Sequence, residues 1–176
     1  MARRRSGEGI SQITKQLSGF SKRAADFLLA EFPEWRPYAS AVPDPHDPDE
    51  KLLNISVPDP VEGRNLPLKI DTVGDEITVY WGAGWGHYHL SPNPLDEEKT
   101  FVECATNLRA LFEEKQIWWD YWNEENSTGG GFGPLEQQDK ILSTARKTDV
   151  GKITFNSWRG TFDKQIDLTK AENEKI

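Results

Sequence analysis

The apolar residues of this chain switch between helical and strand period several times, and that switching limits the fold more than any single motif. Over residues 10–32, Ile13, Leu17, Phe20, Ala24, Phe27 or Leu28, and Phe32 recur at steps of three and four, the spacing of a helix with one buried stripe. Ser11 stands where a cap accepts a backbone N–H, Gly19 weakens the interior, and Pro33 ends the run near Phe32. Period two then takes over. Leu53, Ile55 and Val57 alternate with Asn54 and Ser56, Leu66, Leu68 and Ile70 with Pro67 and Lys69, and Ile77, Val79 and Trp81 follow after Gly74-Asp75. Such short links predict a three-strand antiparallel meander, with Pro67 starting its strand late or marking an edge. Helical spacing returns over residues 94–115. Asn93-Pro94 and the acids at 96–98 are a start signal there, and Phe101, Cys104 or Ala105, Leu108, and Leu111 or Phe112 form the stripe.

Residues 117–122, Ile-Trp-Trp-Asp-Tyr-Trp, are too short and aromatic for a helix and read as a strand. Ile117, Trp119 and Tyr121 take one face, and Trp118, Asp120 and Trp122 the other. A modest helix is expected over 135–146, and a hairpin from 153–158 and 161–168 around Arg159-Gly160. The Pro- and Asp-rich residues 37–50 read as a surface connector. Together these predict an α+β domain over 10–168, with an antiparallel sheet of five or six strands and two long helices packed on one face. A basic tail (1–9) and a C-terminal tail (169–176) flank it.

Composition narrows the function classes. The 176 residues hold 21 Lys+Arg against 29 Asp+Glu, a net charge of −8, and Arg3 to Arg5 sit apart at the terminus. An acidic domain repels phosphate backbones, so nucleic acid is not the expected partner. No apolar run of 18 residues is present and no apolar stretch follows the arginines, which predicts neither membrane association nor a secretory signal. Cys104 is the single cysteine, which excludes an internal disulfide and fits a cytoplasmic location. At a stripe position it reads as a small core residue rather than a nucleophile.

Motifs with chemical content are few. Gly82-Ala83-Gly84-Trp85-Gly86 has G-x-G-x-G spacing where a dinucleotide turn needs G-x-G-x-x-G opening a helix, and Gly129 to Gly133 lacks the Lys and Ser/Thr of a phosphate cradle. Both read as flexible turns, and no cofactor is expected. His87 and His89 point the same way in an extended segment and are candidate metal ligands, with Asp120 or Glu124 as a completing carboxylate and His46 without a place. No nucleophile elbow occurs, and no carboxylate pair stands out among the 29 acids. Seven tryptophans are more than a small core normally takes, so some are expected to line a surface. Trp85, Trp118, Trp122 and Trp158 are the candidate anchors, with His87, His89 and Arg159 beside them and Asp120, Glu124 and Glu125 as an acidic rim.

The succession Leu53 to Pro60, Pro67 to Thr72, Gly74 to Val79, His87 to Leu90 and Ser157 to Asp163 resembles small, acidic, largely uncharacterised bacterial proteins, some of them like immunity proteins that neutralise a toxin. The resemblance spans about residues 51–168. Where that group often has a short polar link before His-x-His, this chain carries Gly82 to Gly86 with Trp85. The resemblance implies a non-enzymatic protein-binding protein, an inhibitor of a toxin partner. Two further classes stay open: a metal-dependent enzyme centred on His87 and His89, and a carbohydrate-binding module using exposed tryptophan.

Overall fold

The structure, a computed structural model, describes residues 12–82, 84–89 and 97–169, with the backbone alone at 84–86 and 89. Ser11, Asn93, the N-terminal tail and residues 170–176 of the C-terminal tail lie outside the described residues. The chain divides into two compact units. Unit one comprises the residues up to Pro58, Leu66–Tyr80 and Trp85–Asn107, and unit two Asp59–Asn65, Trp81–Gly84 and the chain from Leu108 on.

Unit one holds helix α1 (Gly19–Glu31) and a five-stranded antiparallel sheet in the order β1-β2-β3-β4-β5. Its strands are β1 (Ala39–Pro43), β2 (Lys51–Val57), β3 (Leu68–Val73), β4 (Glu76–Trp81) and β5 (Gly84–His89). The meander is β2-β3-β4, as its alternation predicts, with Ile55 opposite Ile70 and Ile70 opposite Val79. Pro67 stands just before β3, where its missing N–H costs no ladder bond. Residues 39–43, read as connector, and 84–86, read as a turn, are strand, while the extended reading of His87 to His89 agrees with β5. Residues 39–43 pair with β2 at one edge, and the glycine-rich residues 84–89 continue the sheet beyond β4. The continuous helix expected over 10–32 is broken: residues 12–14 form a helical turn, and α1 starts afresh at Gly19, whose φ of 48° suits a residue without Cβ.

From Gly19 on, the predicted stripe is the buried one, with Phe20, Ala24 and Leu28 joined by Ala25 and Leu29. Ser21 hydrogen-bonds Thr72 at 2.7 Å, and Thr72 Oγ1 accepts the Leu53 N–H, so this buried hydroxyl pair links α1 to two strands. Helix α2 (Glu97–Phe112) meets α1 through Phe101, whose ring lies 5.5 Å from Phe20 and 5.4 Å from Phe27. The expected placing of two long helices on one sheet face is not confirmed by these contacts.

Unit two is a second sheet, so the strands form sheets of five and four where a single sheet of five or six was expected. Its order is β7-β6-β8-β9, with β6 (Gln116–Asn123), β7 (Asn126–Pro134), β8 (Lys152–Asn156) and β9 (Lys164–Asp167), all antiparallel. Helix α3 (Gln138–Ala145) supplies Ile141 and Ala145 to a core with Ile117, Ile153, Phe155 and Leu168. Fully burying each such aliphatic side chain is worth about 1.5–3 kcal/mol, enough to fix which face of β6 looks inward.

Candidate functional site

Strand β6 sorts its aromatics as period two requires. Ile117, Trp119 and Tyr121 face the core of unit two, while Trp118, Asp120 and Trp122 share the opposite face. That opposite face is not open, however. Trp118 is only 7% exposed and stacks on Phe132, its cross-strand partner in β7. Trp122 is half-buried, donates its indole N–H to Thr154 Oγ1 at 3.0 Å, and carries Lys152 Nζ 4.9 Å above its ring. Trp158, the fourth proposed anchor, is 8% exposed and packs edge-on against Phe112 and tilted against Trp81. Trp118 and Trp158 are therefore framework rather than docking anchors, because each indole finds an aromatic neighbour within its own unit. The side chains of Trp85 and His89 lie outside the described residues.

Residues 129–133 also differ from the flexible turn expected of them: they are the middle of strand β7. Glycine is required there by Trp119. A Cβ on Gly131 would overlap the Trp119 ring, and one on Gly130 would overlap the Trp119 carbonyl and stand 3.0 Å from Asp120 Oδ1. The indole thus lies directly on the backbone of β7, doing for Gly131 and Gly133 what their absent side chains cannot.

Asp120 is the chemically unusual group on this face. It is 4% exposed, and the Trp118 indole N–H on the same face is buried without a hydrogen-bond partner. Desolvation raises the Asp120 pKa, and Trp118 opposes that only in part. Past it the strand ends in the two-residue turn Glu124-Glu125, both exposed, with Glu124 held at φ 53°, a left-handed conformation that favours glycine. Glu124 lines a broad, open depression of about 1110 Å³ together with Asn123, Arg146, Thr148, Asp149 and Gly151. No acid–base pair or nucleophile of recognisable geometry is assembled among these lining residues.

The 157–163 loop shows the opposite condition. The expected tight hairpin at Arg159-Gly160 is a seven-residue connection between β8 and β9, and two residues that sequence reading passed over hold it. Arg64 is the first. Its Nε and Nη2 grip Asp59 at 2.8 and 2.9 Å, Nη1 reaches Asp163 and the Ser157 carbonyl at 2.8 Å each, and Nη2 also reaches the Trp158 carbonyl at 2.8 Å. All five guanidinium protons are used, and the plane lies 5.7 Å from the Trp81 ring. Glu114 is the second. It occupies the left-handed position after α2, with φ 55°, where Glu114 N–H returns to the Leu111 carbonyl and Lys115 N–H to that of Ala110. A glycine would suit this cap, but the carboxylate accepts the Arg159 N–H at 2.9 Å and the Thr161 N–H at 3.4 Å. Despite the desolvation that works against it, bonding from Thr161 and Arg159 holds the Glu114 pKa below the ordinary carboxylate value. Arg159 itself offers an exposed side chain. Nothing in the residue types around Arg64 marks it beforehand, since its partners lie 5, 93, 94 and 99 positions away.

In unit one, His87 is exposed and pairs through Nδ1 with Glu76, while Thr78 Oγ1 lies 3.0 Å from the same nitrogen and donates to Glu76 at 2.7 Å. Because hydroxyl and carboxylate meet the same ring nitrogen, the three cannot relay a proton from Thr through His to Glu. Among the described residues no group of three or more His, Cys, Asp or Glu side chains gathers as metal ligands would. Asp120 and Glu124, the carboxylates suggested as completing ligands, belong to unit two, and His87 to unit one. Cys104 is buried, and its thiol is pushed up to about 12 by burial, consistent with a core residue. Tyr88 is likewise pushed up to about 12 by desolvation, its hydroxyl accepting from Asn107 at 3.1 Å. No helix among the described residues is long and apolar enough to cross a membrane. The chain matches no known protein family, no curated protein and no solved structure.

Proposed function

We propose that this chain is a non-enzymatic protein-binding protein, of the kind that inhibits a bacterial toxin by occupying it, and that it works in the cytoplasm. The observation that carries the reading is the outer edge of unit two, where an exposed, uncharged strand lies beside the exposed acids Glu124 and Glu125. An exposed strand edge is a template for another polypeptide, and flanking carboxylates add steering toward a basic surface. The reactive groups elsewhere support it: Cys104 is buried and Tyr88 half-buried, both are hard to ionise, and Arg64 and Glu114 are committed to holding a loop. A carbohydrate site built on flat indoles has less support, because Trp118 and Trp158 are sequestered.

The test is affinity capture from the native host with the full chain, followed by titration of the purified partner and its expression with and without this chain. A stoichiometric complex, and relief of growth arrest on co-expression, are expected. Recovery of no protein, or stoichiometric zinc bound with turnover of a small molecule, contradicts the reading.

A further inference from the structure

Strand β7 is an edge strand whose glycines leave part of its backbone without side-chain cover. Over Asn126–Pro134 it has no charged residue and four glycines, in a chain where 28% of residues are charged. Edge strands are ordinarily protected by lysine, by inward charge or by proline near the middle. Here the only such devices are at the ends: a register shift opposite Tyr121/Trp122, and Pro134. Between them the backbone is exposed at Gly129 and Gly130, half-buried at Gly131 and buried at Gly133, and among the described residues no strand lies beyond it. The glycines do not make this stretch loose, because the Trp119 ring lies against Gly131 and Gly133 and six consecutive residue pairs, from Gln116 opposite Pro134 to Tyr121 opposite Gly129, hold it to β6.

We infer that the outer edge of β7, from Gly129 to Gly133, receives an extended basic segment of a partner protein as an added strand. This rests on the protein-binding reading above and names the partner's chemistry. Main-chain hydrogen bonds to the glycine backbone supply the affinity, and alternate side chains of the incoming strand meet what flanks it. On one face these are Phe132, 38% exposed and stacked on Trp118, and the buried carboxyl of Asp120, uncovered at Gly130 by the lack of a side chain. At one end stand Glu124 and Glu125, and just past the other Glu136. A lysine or arginine opposite Gly130 has Asp120 within its reach, since Asp120 Oδ1 lies 3.0 Å from where a Gly130 Cβ would stand.

Charge decides between occupants. A second copy pairing antiparallel on the same edge would bring Glu124 and Glu125 of one copy toward Glu136 of the other, in two chains of net charge −8. A basic strand meets those same carboxylates with opposite sign.

The experiment uses the full chain and three synthetic ten-residue peptides: alternating Lys-Val, alternating Glu-Val, and Lys-Val with every second backbone nitrogen methylated. Calorimetry and amide exchange by NMR are the readouts. The Lys-Val peptide is expected to bind, to weaken steeply with added salt, and to slow exchange at Gly129 to Gly133; methylation and charge reversal each weaken it by about tenfold or more. Replacing both exposed acids, Glu124→Gln with Glu125→Gln, is expected to weaken it about three- to tenfold without unfolding the protein. Absence of Lys-Val binding, equal binding of the methylated or Glu-Val peptide, or a β7-paired dimer in sedimentation overturns the proposal. If the partner captured from the host binds while Gly129 to Gly133 exchange as before, strand addition fails and the protein-binding reading survives. If nothing is captured, that reading fails as well.

Discussion

Two parts of unit two carry the same kinds of residue in opposite states. In the 157–163 loop, an arginine with five donors, an aspartate on each side of it and a glutamate in a strained backbone position are all matched to partners. On the outer face and edge of β6 and β7, an aspartate is buried beside an indole N–H that has no hydrogen-bond partner, and a strand rich in glycine has no neighbouring strand on one side among the described residues. Fully satisfied polar groups hold structure, whereas groups a fold leaves unsatisfied at its surface are where a ligand has something to add. The 157–163 loop is thus explained by architecture, and the proposed binding role rests on the glycine strand.

The comparison breaks most directly at Arg64. Arg64→Met leaves Asp59, 5% exposed at its side chain, as a buried carboxylate without its cation, and is expected to cost about 3–5 kcal/mol in urea denaturation. A cost under about 1 kcal/mol would mean that the loop does not depend on this network. Next is the backing of β7. Gly131→Ala places a methyl in the Trp119 ring and should cost about 1–3 kcal/mol, whereas Gly133→Ala, whose Cβ would rest 3.4 Å from the ring, should cost less than about 1 kcal/mol. Equal costs would remove Trp119 as the reason for the glycines.

The two acids sharpen the contrast through pH. Glu114 has a lowered folded pKa, so its stabilisation is present above the unfolded value of about 4.3 and lost as pH falls through the folded one. Asp120 has a raised folded pKa, so stability declines as pH rises from the unfolded value of about 3.9 through the folded one. Removing each charge, Glu114→Gln or Asp120→Asn, should abolish its slope. The Asp120 slope should be opposite in sign to that of Glu114. Slopes of the same sign would void the distinction. Smallest is Glu124→Gly, where relief of the left-handed strain is partly offset by glycine's greater chain entropy, for a net gain of about 0.5 kcal/mol in thermal denaturation.

Much of the fold was legible because burial enforces periodicity. The stripe from Phe101 to Leu111, the alternation at Leu53 to Val57 and the face choice along Ile117 to Trp122 all follow from which side chains must leave water. What misled was glycine. Gly84 and Gly86, and Gly129 to Gly133, signal turns when read alone, yet both stretches are strands, the second because a tryptophan from the neighbouring strand takes the space of the missing side chains. Tryptophan count misled for a related reason: Trp118 and Trp158 find aromatic partners 14 and 46 positions away, which no local pattern announces. Of the candidate site, Asp120, Glu124 and Glu125 were visible as an acidic group, but their setting beside a bare strand edge depended on the pairing of β6 with β7.

Amide exchange of the unliganded protein puts that contrast into a single measurement. The N–H groups of Ser157, Arg159 and Phe162, which donate to Asp163, Glu114 and Ser157, should exchange as slowly as the central amides of β6, while outward-facing amides between Gly129 and Gly133 should exchange orders of magnitude faster. Protection of the β7 amides equal to that of β6 in the free monomer would show the edge already occupied, and would contradict the account.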